Sequence, residues 1–147
     1  MGIVVDIDAL SLVFDQNNSR HNEFSPVLKW VQCGQDRLVY GGSTYKAELE
    51  RARKFLRILI ELRRARKAKE LDTADVDSEE TRLRNTIDNS HFDDHHIIAI
   101  VIVGRCKFVC SLDQTLHFHL QNNSLYPRRF RRPKIYSCQA CANMLQV

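Results

Sequence analysis

Four acidic residues of this 147-residue sequence stand at the boundaries of apolar stretches, where a folded chain could bring them together. Asp6 and Asp113 each follow a short run with the composition of a buried strand. Glu48 lies in the first turns of a predicted helix, and Asp94 precedes a strongly apolar stretch. Open α/β sheets bind ligands beyond the carboxyl ends of their strands, and helix N-termini stabilise nearby carboxylates. We therefore expect these four side chains to converge at one edge of a sheet.

A cluster of carboxylates of this kind predicts a divalent metal site. Neighbouring carboxylates raise one another's pKa, and a cation removes that repulsion. Mg²⁺ prefers oxygen ligands and keeps several waters, so a few carboxylates and a substrate phosphate suffice to hold it. The ion can polarise a phosphoryl oxygen and lower the pKa of a bound water. The sequence contains neither a Ser-His-Asp order nor a Gly-rich phosphate loop that would indicate another chemistry.

The elements that must position these residues are predicted to alternate between strand and helix. Apolar, β-branched runs predict strands at residues 2–5, 37–40, 106–110 and 135–136. Apolar residues at three- and four-residue spacing predict one long helix that begins at Ser43 or Thr44 and fades near Glu70. Acidic residues dominate positions 70–80, which predicts a mobile, solvated segment with a short helix at 79–87.

The apolar stretch 97–103 admits two interpretations. Its β-branched residues favour a strand, whereas an acidic cap at Asp93 or Asp94 and a closing Gly104 favour a helix. We predict the helix, because a parallel sheet needs a crossover that leads from an earlier strand into the strand at 106–110.

Charge is unevenly distributed along a chain whose formal net charge is +4. Basic residues concentrate on the predicted long helix and in the stretch 128–134, and clustered Arg and Lys favour phosphate backbones. An acidic partner protein or the acidic segment 70–80 of the same chain could equally cover them. The predicted contacts with nucleic acid are Arg51, Lys54, Arg57, Arg128, Arg129, Arg131 and Arg132.

Four stretches, in order, resemble the motifs of PIN-domain nucleases. Residues 3–8 (IVVDID) are similar to the family's opening strand, and residues 41–48 (GGSTYKAE) to the stretch that carries its second acid. Residues 94–99 (DHHIIA) resemble the third motif, and residues 111–113 (SLD) the fourth. Asp8 stands where the family has Asn or another polar residue, so it is either an additional metal ligand or a supporting group.

The resemblance implies a single PIN-like domain over residues 1–147, a three-layer α/β/α fold around a mainly parallel sheet. It also implies endoribonuclease activity with Mg²⁺ or Mn²⁺. Asp6, Glu48 and Asp94 would be the core ligands, Asp113 would complete the site, and Ser111 would orient the metal shell or a water. Implied partners are RNA, the antitoxin of a toxin–antitoxin pair, and a second copy of the chain.

Two other functions stay open from the sequence. The chain could be a non-catalytic RNA- or protein-binding module on the same scaffold. It could also be a small phosphohydrolase of the haloacid dehalogenase type, because Asp6 and Asp8 form an Asp-x-Asp motif, although Leu10 departs from that family's pattern. Such enzymes form a covalent aspartyl phosphate.

Individual residues also have simpler interpretations. Glu48 could pair with Arg51 on an exposed helix face, Asp113 could be a turn residue, and Asp93 could replace Asp94 as the ligand.

The histidines and cysteines are expected to have no role in the site. We expect His95 and His96 to be surface residues. Cys106, Cys110, Cys138 and Cys141 could bind zinc, but we favour ordinary burial. The odd cysteine count predicts reduced thiols in the cytoplasm, and no apolar run is long enough to span a bilayer.

Overall fold

Five parallel strands form the centre of the molecule, in the order β3-β2-β1-β4-β5. The computed structural model describes residues 2–34, 36–87 and 91–145. The strands are β1 (Ile3–Val5), β2 (Leu38–Gly41), β3 (Ala68–Leu71), β4 (Phe108–Cys110) and β5 (Lys134–Tyr136). The predicted parallel α/β sheet is confirmed, and four of these strands lie where the sequence placed them.

Seven α-helices surround the sheet within the described residues. They are α1 (Leu10–Phe14), α2 (His21–Gln32), α3 (Ser43–Arg51), α4 (Arg53–Arg64), α5 (Thr73–Thr86), α6 (His95–Gly104) and α7 (Gln114–Leu120). Short 3-10 segments occur at Ile7–Ala9, Asn123–Leu125 and Gln139–Leu145. Helices α3, α5 and α6 contact one another in one group, and α1 and α2 pack with the last 3-10 segment in a second. This arrangement is consistent with three α/β/α layers. None of these helices combines the length and apolar character needed to cross a membrane.

The central strand β1 positions the candidate site. Ile3, Val4 and Val5 are fully buried, as expected for a strand that is covered on both faces. The strand pairs with β4 over its whole length, and Val5 lies opposite Cys110. Because both strands end at the same level, the residues that follow them lie side by side at the carboxyl edge of the sheet.

The prediction of one long helix after β2 was wrong. The chain forms α3 and α4, which are separated at Ala52 by a non-helical backbone conformation (φ −112°, ψ 62°). Helix α3 packs against α5 and α6, whereas α4 contacts β3 and α1. The two apolar faces therefore have different partners, which a single straight helix could not reach. The predicted hydroxyl caps are also absent from α3. Its first residue, Ser43, instead donates its backbone N–H and its hydroxyl to the Asp77 carboxylate of α5.

The acidic stretch 70–80 is not an irregular segment. Strand β3 includes Glu70 and Leu71, and α5 begins at Thr73 behind an Asp72 side chain that accepts from the Asp75 backbone N–H. The sequence pattern did not reveal either element, because acids occupy much of the stretch and few apolar positions remain. Val76 and Leu83 are fully buried and hold α5 against the core.

The predicted crossover helix is confirmed as α6, although its two ends differ from expectation. Asp94 occupies the N-cap position without a side-chain cap, and Arg105, not Gly104, adopts the left-handed conformation that closes the helix (φ 50°, ψ 48°). Gly104 is the last helical residue. A Cβ there would lie 2.8 Å from Val39 Cγ1, so glycine allows α6 to approach the sheet closely.

Candidate functional site

Asp6 is the buried centre of the acidic cluster. It directly follows β1, its backbone N–H donates to the Cys110 carbonyl at 2.9 Å, and the residue is 6% exposed. Burial raises the pKa of its carboxyl to about 6. The hydrogen bond from Ser111 opposes this rise, and the charges of Asp8 and Asp113 add to it. The protein thus holds a carboxylate in a place where its charge is poorly solvated.

Ser111 links the ends of β1 and β4. Its hydroxyl donates to Asp6 Oδ2 at 3.0 Å and accepts the Asp113 backbone N–H at 3.1 Å. The residue is fully buried, and its carbonyl oxygen lies 2.7 Å from His117 Nε2, which donates to it in the corresponding tautomer. Ser111 therefore orients the Asp6 carboxylate and the backbone of Asp113, whereas its role towards a metal shell or a water stays a prediction.

Asp113 caps helix α7 and also reaches the acidic cluster. Its Oδ1 accepts the backbone N–H groups of Thr115 at 2.9 Å and Leu116 at 3.3 Å. This oxygen therefore has a structural role as a helix cap, where the sequence offered a turn residue as the simpler interpretation. The same carboxyl group also hydrogen-bonds with that of Asp94, which places it within the predicted site.

Asp94 carries the largest pKa rise of the cluster. The pKa of its carboxyl is raised to about 8 by burial, by the hydrogen bond with Asp113, and by the negative charges of Asp6, Asp93 and Asp113. These causes all disfavour the ionised form of Asp94 in the metal-free protein. Asp93 is exposed and acts on Asp94 through its charge. The structure thus brings Asp94, more than Asp93, into contact with the other acids.

Glu48 approaches the cluster from helix α3. Its pKa is raised by partial burial and then by the charges of Asp6, Asp8 and Asp93, which indicates that it faces the same space. Arg51 lowers this pKa through its positive charge, and the His96 ring places its Nε2 3.7 Å from Glu48 Oε1.

Tyr45 is a site-positioning residue that the sequence analysis missed. It is fully buried one turn before Glu48, and its hydroxyl donates to the Val5 carbonyl at 2.7 Å. This bond ties the start of α3 to the end of β1, next to Asp6. The available signal was weak: a Tyr at a core-facing position of a helix, three residues before a candidate ligand.

The prediction that His95 and His96 lie on the surface was wrong. They are 3% and 1% exposed, and their ring nitrogens have no hydrogen-bond partner within the described part of the chain. Burial lowers the pKa of both rings, so each is neutral near pH 7. A helix that is apolar on all sides is usually buried all round, and that property of α6 could have predicted the burial of its first turn.

Asp8 is exposed in the 3-10 segment after Asp6, where its charge raises the pKa values of Asp6 and Glu48. The five predicted metal-site residues therefore act on one another electrostatically, although only some of them touch.

The side chains of these five residues do not form a coordination cage. In residues 2–34, 36–87 and 91–145, no group of three or more His, Cys, Asp or Glu side chains is arranged to hold a metal ion. The donor set is nonetheless all oxygen, which fits Mg²⁺ or Mn²⁺.

The expected burial is found for Cys106 and Cys110, whereas Cys138 and Cys141 are partly exposed. Cys106 precedes strand β4, and Cys110 is its last residue. Burial raises the pKa of both thiols, that of Cys106 to about 12. Cys138 and Cys141 have their sulfur atoms 3.6 Å apart, and the preference for burial over a zinc site stays a prediction.

The predicted nucleic-acid contacts fall on two separate surfaces. Arg51, Lys54 and Arg57 are exposed on α3 and α4, and Lys54 forms an ion pair with Asp15 at 3.4 Å. Residues 128–132 precede β5 and therefore lie near the amino edge of the sheet, opposite the acids. The structure places Arg51 nearest to the acidic cluster, because its charge acts on Glu48.

Comparison with known proteins identifies no relative of this chain: no protein-family model, curated protein or solved structure matches it. Its function is therefore inferred from the residues of the site.

Proposed function

We propose that this chain is a Mg²⁺- or Mn²⁺-dependent nuclease of the PIN type that hydrolyses phosphodiester bonds of RNA. One observation carries the proposal: Asp6, Glu48, Asp94 and Asp113 come from four distant parts of the sequence, and their charges act on one another near the carboxyl edge of a parallel sheet. The pKa values of the first three are raised, with burial the largest cause and the charges of neighbouring acids adding to it. Perturbed acids gathered at a sheet edge are typical of functional sites.

The donor chemistry of the cluster supports a hard divalent cation. Negative charge held in partial burial destabilises the metal-free protein, and a cation among the carboxylates offsets that effect. Asp6, Asp94 and Asp113 would hold the ion, with Glu48 completing the set. When bound, such an ion polarises a phosphoryl oxygen and makes a coordinated water more acidic.

The chain's own residues prepare this site. Ser111 fixes the Asp6 carboxylate through its hydroxyl, and the N-terminus of α7 fixes one oxygen of Asp113. Tyr45 holds α3 so that Glu48 faces the cluster. The pKa of Asp94 is raised by burial and by the neighbouring acids, and a cation bound among the carboxylates would favour its ionised form.

RNA is favoured over a small phosphate ester by the shape and charge of the surroundings. The acids lie at an edge of the sheet where Asp8, Asp93 and Asp113 are exposed, and this edge is open to a long substrate. The chain carries a net charge of +4 despite the acidic site. A toxin role, an antitoxin partner and self-association belong to the PIN resemblance and stay predictions.

The test is cleavage of a defined RNA pool with and without Mn²⁺, with Asp94→Asn compared against Asp93→Asn. The two substitutions remove the same charge from adjacent positions, and Asp94, unlike Asp93, hydrogen-bonds with Asp113. We expect Mn²⁺-dependent cleavage by the parent and a loss of about 100-fold or more in Asp94→Asn, since even indirect changes at metal sites cost 10–100-fold. Asp93→Asn should stay within about threefold of the parent, as expected for a charge that acts from outside the ligand set.

Equal cleavage by the parent and a folded Asp94→Asn protein would show that the site is wrongly assigned. A thermal-shift titration separates the nuclease from a non-catalytic binding module, because an ion that binds the native state raises its melting temperature. A module without a metal site would show no Mn²⁺-dependent rise and no cleavage.

A further inference from the structure

A cleft rich in cations lies at the amino edge of the sheet, opposite the acidic cluster. It has a volume of about 530 Å³ and lies where strands β4 and β5 begin. Six cationic side chains and no carboxylate are among the residues that line it: Arg105, Lys107, Arg129, Arg131, Arg132 and Lys134. We call this feature the basic cleft.

A second cavity continues the basic cleft along the start of β5. It has a volume of about 480 Å³ and shares Arg131, Arg132 and Lys134 with the first. Its other lining residues are Gln121, Pro133 and Ile135, so it also lacks a carboxylate. The two cavities share a wall of three cations, Arg131, Arg132 and Lys134, so positive charge extends beyond a single cavity and suits a linear anion better than a small one.

The cations of the basic cleft lack internal counter-charges. Within the described part of the chain, none of the six forms an ion pair with an Asp or Glu side chain. Arg132 donates to the Gln121 carbonyl at 2.7 Å, which orients the guanidinium without neutralising it. Six like charges in one cleft repel one another, so an external polyanion would bind with a large electrostatic gain.

Two of these arginines stand where glycine would be less strained. Arg105 and Arg129 have φ angles of 50° and 66°, in the left-handed region that disfavours residues with a Cβ. A side chain kept at such a position commonly has a function. Arg66 provides an internal comparison, with a φ of 62° at the end of α4. It precedes β3 on the same edge of the sheet, three strands away from β4.

The loop that carries three of the six cations, Arg129, Arg131 and Arg132, is held in place before any ligand arrives. Pro127 and Pro133 restrict its two ends. Phe130 lines the cleft and stacks on Tyr126, with ring centroids 5.2 Å apart and planes 8° from parallel. The Tyr126 hydroxyl donates to the Leu120 carbonyl at 2.5 Å, which fixes the stack. Preorganisation of this kind reduces the entropy lost on binding.

We propose that the basic cleft binds the phosphate backbone of single-stranded nucleic acid. Arginine predominates, and its guanidinium matches phosphate bidentately. A partly exposed Phe130 among the cations offers a surface on which a base can stack. That the ligand is RNA rests on the proposed nuclease function. A strand of three residues spans roughly 10 Å, so an RNA that reaches both the cleft and the acids must extend over several nucleotides.

The test is fluorescence anisotropy with a fluorescein-labelled, mixed-sequence single-stranded RNA, in EDTA to prevent cleavage and over a series of KCl concentrations. Arg129→Gly is compared with Arg66→Gly, since each variant removes one cation and relieves a left-handed residue. The loss of one phosphate contact should weaken binding about fivefold at 0.1 M salt and reduce the salt slope by about 0.7. We expect this in Arg129→Gly, with a melting temperature equal to or above that of the parent, and unchanged binding in Arg66→Gly.

A second variant, Arg131→Gln, keeps the test decisive if Arg129→Gly does not fold. It removes an exposed cation outside the left-handed region and should lose a similar fraction of the affinity. Equal losses in Arg129→Gly and Arg66→Gly would overturn the proposal, because net charge alone would then explain binding. Unchanged binding in both cleft variants would also overturn it, as would stronger competition by polyglutamate than by unlabelled RNA, which would assign the cleft to an acidic protein.

The test of the basic cleft can fail or succeed independently of the nuclease proposal. RNA binding that depends on the basic cleft, combined with no Mn²⁺-dependent cleavage, would refute the nuclease and leave the cleft intact. Cleavage that depends on Asp94, combined with no effect of the cleft variants on RNA binding, would refute the basic cleft as a binding site and leave the nuclease proposal intact.

Discussion

Replacement of Asp6 by Asn should stabilise the metal-free protein at neutral pH. Asp6 is 6% exposed, and its pKa is raised from 3.8 to about 6, chiefly by burial. At 1.36 kcal/mol per pKa unit, this rise corresponds to roughly 3 kcal/mol of lost stability when the carboxyl is ionised. Asn keeps the shape and can still accept the Ser111 hydrogen bond, so the variant should gain about 1–3 kcal/mol.

The sign of the pH dependence follows from the direction of the pKa change. Below pH 3.8 the carboxyl is protonated in both the folded and the unfolded chain, and it causes no penalty. As the pH rises towards 6, the unfolded chain releases its proton first, and the folded protein loses stability relative to it. The difference between the variant and the parent should therefore be small near pH 4 and reach its full size above pH 6.

Urea denaturation in EDTA at pH 4.5 and pH 7.5, followed by circular dichroism, measures this difference. For a chain of this length, 1–3 kcal/mol corresponds to a rise in melting temperature of roughly 3–10 °C. Added Mn²⁺ should reverse the order, because it stabilises the parent and not the variant. A variant that is less stable than the parent at pH 7.5 in EDTA would refute the claim that Asp6 is held as a poorly solvated anion.

Two further substitutions test how the structure holds the site. Tyr45→Phe removes the hydroxyl that donates to the Val5 carbonyl at 2.7 Å, and it should lower the free energy of unfolding by about 1–2 kcal/mol, because a buried acceptor loses its partner. Since α3 also carries Glu48, urea denaturation should be paired with a measurement of kcat, and an unchanged kcat would contradict the positioning role. Gly104→Ala places a Cβ 2.8 Å from Val39 Cγ1 and should lower the free energy of unfolding by about 1–3 kcal/mol. Arg105→Gly at the next position serves as the control, and its melting temperature should not fall, because glycine relieves the left-handed conformation.

The sequence by itself determined the parts of this protein that depend on local composition. A continuous β-branched run predicted the buried strand that ends just before Asp6, because a strand covered on both faces needs apolar residues at every position. Strand-like alternation at residues 106–110 predicted the strand that ends just before Ser111. The need for a crossover between parallel strands correctly favoured a helix at α6 over the β-branched propensity of residues 97–103. The same reasoning predicted an acidic cluster at the carboxyl edge of the sheet, where Asp6 and Asp113 follow the paired strands β1 and β4 and their charges raise the pKa of Asp94. That these acids bind a metal stays a prediction.

Only the tertiary structure decided the features that depend on distant partners. Strand β3 has two exposed central residues and gave no apolar signal, since it is formed by pairing with β2. The break at Ala52 arises because α3 and α4 pack against different elements. The burial of His95 and His96 follows from the depth of α6, and the basic cleft joins Arg105 and Lys107 to a loop more than twenty residues later. Contacts between residues so far apart in the sequence cannot be derived from residue spacing. They form only when the whole sheet is assembled, so no single segment encodes them.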